Sequence, residues 1–127
     1  MAKVKKVPQS LKNWFTAHFV IDLLFAIPLF LAPVWLLTQF GFTTIDTVTA
    51  RLVASALFGI GGISFVALES KKETYITLLK LKIIWSTTAI IGLLWSLGEG
   101  APKSVWAIVM LFLAFFGVWM YYLRKLS

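Results

Sequence analysis

The sequence predicts an all-α fold, an integral membrane bundle of four transmembrane helices with both termini on the cytoplasmic side. Three observations predict it. Of the 127 residues, 60% are hydrophobic and only 13% charged, against about half and about a quarter in a soluble domain. The apolar runs continue for roughly twenty residues, the length that crosses a hydrocarbon core of about 30 Å. Runs such as Leu78 to Leu97 are apolar on every side. They do not alternate as barrel strands would, and a lipid-embedded chain must pair its backbone groups within helices or a closed barrel. The whole chain, 1–127, is expected to form one membrane domain.

The elements follow in order. Met1 to Ser10 is short and basic, the apolar run after it lacks the small-residue cleavage site of a signal peptide, and the segment is read as retained. The first span runs over about 14–31, from an interfacial Trp14 to the interruption at Pro33, with Pro28 expected to kink its outer end. Residues 34–40 mix Trp35, Leu36, Leu37 and Phe40 with Thr38 and Gln39, which suits a short interfacial helix. Gly41 to Thr47 is a loop in which Asp46 or Thr47 caps the second span, 49–68. The charged turn Glu69 to Thr74 predicts a hairpin with spans two and three as antiparallel neighbours. The third span covers 75–97, Gly98 to Lys103 turns again, and the fourth span covers 104–123.

The basic residues set the orientation. Lys3, Lys5, Lys6, Lys12, Lys71, Lys72, Lys80, Lys82, Arg124 and Lys125 fall on one side, and Arg51 and Lys103 on the other. The crowded side is expected to be the cytoplasm, and the compact loops suit a prokaryotic cytoplasmic membrane. The net charge of +7 then expresses topology and gives no reason to expect nucleic acid as a partner.

A charge inside a span costs about 3 kcal/mol at the helix centre, so each one is a functional hypothesis. Asp22 lies eight residues in from Trp14, roughly 12 Å deep at 1.5 Å per residue. His18, the single histidine, is four residues earlier and on the same face. The pair reads either as a proton-linked or cation-binding site or as a polar pair that holds helices together. Only one of Lys80 and Lys82 can face inward. Lys82 shares its face with Ser86, Ala89 and Ser96, so Lys82 is expected to pair with Asp22, the alternative being that both lysines snorkel to headgroups.

Arg51 sits at the outer end of the second span, where it either binds an anionic group or caps Asp46 or a loop carbonyl. Ser55, Gly59 and Gly62 follow on one face and are expected to form the main helix-packing seam. On the fourth span, Ala107, Ala114 and Gly117 are expected to pack closely. Trp106, Trp119, Tyr121 and Tyr122 are expected to form an aromatic belt.

The chain has no cysteine, which removes disulfides and thiolate chemistry. It shows no metal-ligand cluster, phosphate loop or nucleophilic triad, and a single histidine cannot hold a bis-histidine haem. No cofactor, metal or enzymatic activity is expected. An acid-base enzyme built on Asp22 and His18 would lack a nucleophile.

The stretches DTVTARLVASALFGIGGISF (Asp46 to Phe65) and LKLKIIWSTTAIIGLL (Leu79 to Leu94) resemble small four-helix membrane proteins of bacteria and archaea that carry no assigned function. That resemblance implies a topology and no activity. The architecture is also similar to that of small multidrug exporters, which carry a glutamate in the first span where this chain has Asp22. Two functions are therefore expected from the sequence: a non-enzymatic membrane component or subunit, alone or in a larger complex, or an oligomeric small transporter or channel with an Asp and His site.

Overall fold

The computed structural model describes residues 6–127 and contains five helices, four of them long and apolar enough to cross a membrane. They are α1 (Gln9–Leu31), α2 (Pro33–Gln39), α3 (Thr47–Val66), α4 (Lys72–Gly98) and α5 (Val105–Leu126). Lys3 and Lys5 lie outside the described residues.

The breaks have local causes. Pro33 forces Ala32 out of helical geometry, to φ −141° and ψ 63°, so α1 stops at Leu31 and α2 starts with Pro33 in its first turn. The Asp46 carboxylate caps α3, accepting from the Val48 N–H at 3.0 Å and the Thr49 hydroxyl at 2.6 Å. These bonds hold its pKa below the ordinary value, the Thr49 hydroxyl contributing most. Beyond α2 and α4, Gly41 and Gly100 take φ of +88° and +97°, left-handed positions that favour glycine.

Packing follows a pattern the loop lengths conceal. α1 lies along α3, α4 along α5, and α2 touches both α1 and α3. Spans two and three, expected as a hairpin, are joined by a short turn and meet through Lys82 and Ser64, but the closest backbone packing is between α1 and α3 and between α4 and α5. The seam of α3 is also corrected. It runs through Ala50, Ala54, Gly61 and Ser64, whereas Ser55 and Gly59 are exposed, and no atom lies near a side chain added at Gly59 or Gly62. Small residues on the α1 side let the two backbones approach.

On α5, Ala107, Ala114 and Gly117 are exposed, and Val105, Val109, Phe115, Trp119, Tyr122 and Leu126 face inward. Trp119 and Tyr122 thus leave the expected aromatic belt. Their size fills the gap between α5, α1 and α4 that small residues would leave open.

Two apolar clusters result. One gathers Leu11, Phe15, Tyr75, Leu79, Trp119 and Tyr122 at the end that carries both termini. It is tied by hydrogen bonds from Tyr122 to the Ser10 hydroxyl at 2.6 Å and from Tyr75 to the Leu68 carbonyl at 2.7 Å. The other gathers Leu29, Ala50 and Ala54 beneath α2. The outer surface is itself apolar, with Leu24, Val66, Ile84, Trp95 and Met110 exposed.

Candidate functional site

Between the two clusters three ionisable side chains meet: Lys82 is 1% exposed, His18 4% and Asp22 6%. Lys82 comes from the middle of α4, ten residues past its first turn residue Lys72, about 15 Å along the axis. Lys80 points outward and is exposed.

The Lys82 ammonium donates to His18 Nδ1 and to Ser64 Oγ, each at 2.5 Å. The Ser64 hydroxyl donates in turn to the Ile60 carbonyl at 3.0 Å, leaving its oxygen free to accept. The ammonium also sits over the rings of Phe15 and Trp119, at 4.7 and 4.9 Å from their centroids. Its charge is thus met by two acceptors and two π faces in place of water. Because Nδ1 accepts, His18 carries its hydrogen on Nε2. The imidazole is clamped by Phe115 and Trp119, 4.9 and 5.3 Å away.

Nε2 faces Asp22 Oδ2 at 3.3 Å. The alignment falls short of a hydrogen bond, and Oδ2 is buried with no hydrogen-bond partner among the described residues. The expected contact between Lys82 and Asp22 is corrected, because His18 stands between them. A helical step of four places His18 and Asp22 on one face, while Ser64 and the aromatic cage hold the ammonium on the far side of the ring.

Asp22 also explains Gly61. A Cβ at Gly61 would lie 2.6 Å from Asp22 Cβ and 3.0 Å from Oδ2, so only glycine admits the carboxylate at this crossing. Spacing singles out neither Gly61 nor Ser64 over the Ser55, Gly59 and Gly62 stripe. Both stripes are small residues at helical intervals, and only the position of Asp22 distinguishes them. Trp119 is equally silent in sequence, since a tryptophan near a helix end reads as interfacial.

Arg51 is remote from this centre. Its Nε donates to the Phe30 carbonyl at 3.0 Å, one of the carbonyls orphaned where Pro33 ends the ladder of α1. Asp46 meanwhile caps its own helix.

A cavity of about 390 Å³ opens beside the three groups. His18, Asp22 and Ser86 line its inner end, and Phe25, Leu37, Phe40, Trp85 and Ile108 are among the apolar side chains along the rest. It extends toward α2, where the Ser104 hydroxyl donates to the Phe40 carbonyl and fastens the loop after α2 to the start of α5. Toward the termini it is stopped by the cluster of Phe15, Tyr75 and Trp119.

No family model, curated protein or solved structure matches this chain. The site is therefore read from its own geometry. Three exchangeable groups form a line, Lys82 to His18 to Asp22, whose last member borders an apolar chamber. Among the described residues no group of three or more His, Cys, Asp or Glu side chains is arranged to hold a metal ion.

Proposed function

We propose that the chain is a non-enzymatic, multi-pass protein of a prokaryotic cytoplasmic membrane, its four long helices bundled with both termini inside. In this reading it takes a small molecule from the outer half of the bilayer into the chamber at Asp22. The apolar exterior and the crowding of Lys12, Lys71, Lys72, Arg124 and Lys125 at one end support the insertion and its direction. The chamber, ending on a buried carboxylate without a hydrogen bond, carries the functional part of the reading.

Magnitudes favour a binding site over a scaffold. Neutral polar side chains join helices in membranes for about 0.6 to 2 kcal/mol per hydrogen bond. An acid and a lysine at mid-span instead cost about 3 kcal/mol each on insertion scales. A protein that only needed adhesion would do better with serine or asparagine. The chamber also lies within one chain, so the reading does not depend on an oligomer to enclose the site.

Ser64 beside Lys82 has the composition of a serine and lysine nucleophile pair. Its hydroxyl is fully buried, outside the cavity lining, and committed to the Ile60 carbonyl, which supports binding over catalysis.

Ala89 lines the cavity, so the test is stabilisation by ligands in nanodiscs, with neutral, cationic and anionic apolar compounds screened against the wild type and the cavity-filling variant Ala89→Phe. A compound at one hundred times its Kd stabilises the folded state by about 2.7 kcal/mol, which appears as a raised unfolding temperature. We expect at least one class to raise it in the wild type and not in Ala89→Phe. A flat response to all three classes would sink the reading and return the polar cluster to helix adhesion.

A further inference from the structure

We infer that the chamber takes an electrically neutral amphiphile whose single hydroxyl or amide N–H donates to Asp22, with its apolar body lying toward α2. This rests on the binding role proposed above and names the class of ligand.

The argument is one of charge. His18 lies between Lys82 and Asp22, with Nδ1 toward the amine and Nε2 toward the carboxyl, and the pair has no net charge whether Lys82 holds the proton or it has passed to Asp22. Among the described residues no other charged group faces this centre. α2 carries no ionisable side chain, α3 presents Gly61 and Ser64, and α5 presents Phe115 and Trp119. The remaining acids, Asp46, Glu69, Glu73 and Glu99, are all exposed in turns or helix end segments. The centre is thus already balanced. A cationic ligand would leave one uncompensated positive charge in an apolar chamber, and an anionic one would stand against the carboxylate, each a costly arrangement away from water.

What the centre lacks is a donor. Lys82 has its acceptors and Ser64 its carbonyl, but Asp22 Oδ2 has none, and its nearest donor is 3.3 Å away and poorly aligned. A buried acceptor left unmatched is costly, and more so when charged, so a ligand hydroxyl or N–H arriving there gains the bond without disturbing the charge balance. Elsewhere Phe25, Leu29, Leu36 and Leu37 offer apolar contact, and the other polar side-chain atoms of the lining are the Ser86 hydroxyl and the buried Trp85 indole N–H, which has no partner among the described residues. Leu29 lies seven positions along the helix from Asp22, a length of about 10 Å. This matches a medium-length alkyl chain or a small ring system, and the volume falls at the lower end of the range for small-molecule sites.

The experiment measures displacement of tritiated n-decanol from the protein in phosphatidylcholine nanodiscs by unlabelled n-decanol, decyl methyl ether and decyltrimethylammonium. The ether has the acceptor oxygen without the donor. We expect saturable decanol binding, displacement by the ether weaker by about tenfold or more, and still weaker displacement by the cation. Asp22→Leu, which removes the acceptor, should weaken saturable binding about tenfold. If Asp22→Leu does not fold, the alcohol and ether difference in the wild type and the loss of binding in Ala89→Phe decide the matter.

Equal displacement by alcohol and ether would overturn the inference, as would tighter binding of the cation. Either result leaves a ligand chamber in place. Saturable binding that survives in Ala89→Phe places the occupant elsewhere and also overturns it. No saturable binding of any probe, together with no stabilisation in the wider screen, would remove the proposed function itself.

Discussion

At the scale of single residues, the crossing of α1 and α3 is set by one pair, Asp22 and Gly61. The space a methyl group would need at Gly61 is already taken by Asp22 Cβ, 2.6 Å from it. Gly61→Ala must push the helices apart, and overpacking of this kind costs about 1 to 3 kcal/mol. Gly59→Ala and Gly62→Ala meet nothing and should be neutral or stabilising by up to about 1 kcal/mol, the helix propensity difference. Midpoints of unfolding in SDS titrations separate the three, and equal effects would refute the close approach at Gly61. Lys82→Met keeps the stem and removes the ammonium, leaving Asp22 without its balancing charge. Loss of one member of a buried pair costs about 3 to 5 kcal/mol. The double variant Lys82→Met with Asp22→Asn, which removes both charges, should therefore be more stable than Lys82→Met alone. An additive loss would show that the two groups do not communicate through His18.

At the scale of elements, helix ends were more legible than helix faces. Pro33, Asp46 and Gly100 act through their own backbone or through neighbours within a few residues, so the sequence identifies the breaks near Leu31, Thr47 and Gly98. Asp46 caps α3 through hydrogen bonds that require the ionised carboxylate. Its folded pKa is depressed, so the cap is fully present above the unfolded pKa and is lost as pH falls through the folded one. Hydrogen exchange at Val48 and Thr49 should accordingly be slower in the wild type than in Asp46→Ala at neutral pH. The difference should close on acidification, and a difference that persists in strong acid would show that the carboxylate is not the cap. Faces were harder to read because the spans are apolar all round. Lipid and a neighbouring helix are equally apolar surroundings, so hydrophobicity does not mark which side of α3 meets α1 or which side of α5 turns Trp119 inward.

At the scale of the whole molecule, the proposed orientation makes a prediction that the absence of cysteine renders clean. Single cysteines at Ser10, Ser70 and Ser127 should react with a membrane-impermeant maleimide only after the cells are opened. Cysteines at Thr43 and Lys103, both exposed, should react in intact cells. The reverse pattern would invert the topology and place the chamber on the cytoplasmic side, and mixed labelling at every position would indicate insertion in both directions.

The sequence by itself determined the number of long apolar helices, their approximate ends, and that Asp22, His18 and Lys82 were the side chains to explain, because length, backbone breaks and a misplaced charge are local properties. The tertiary structure alone decided that α1 pairs with α3 and α4 with α5, and that His18 stands between Lys82 and Asp22. It also supplied Ser64, Trp119 and Gly61 to the site and left a chamber beside it. These outcomes depend on which of several equally apolar faces meet, a choice fixed by close packing between residues as far apart in sequence as Ser10 and Tyr122.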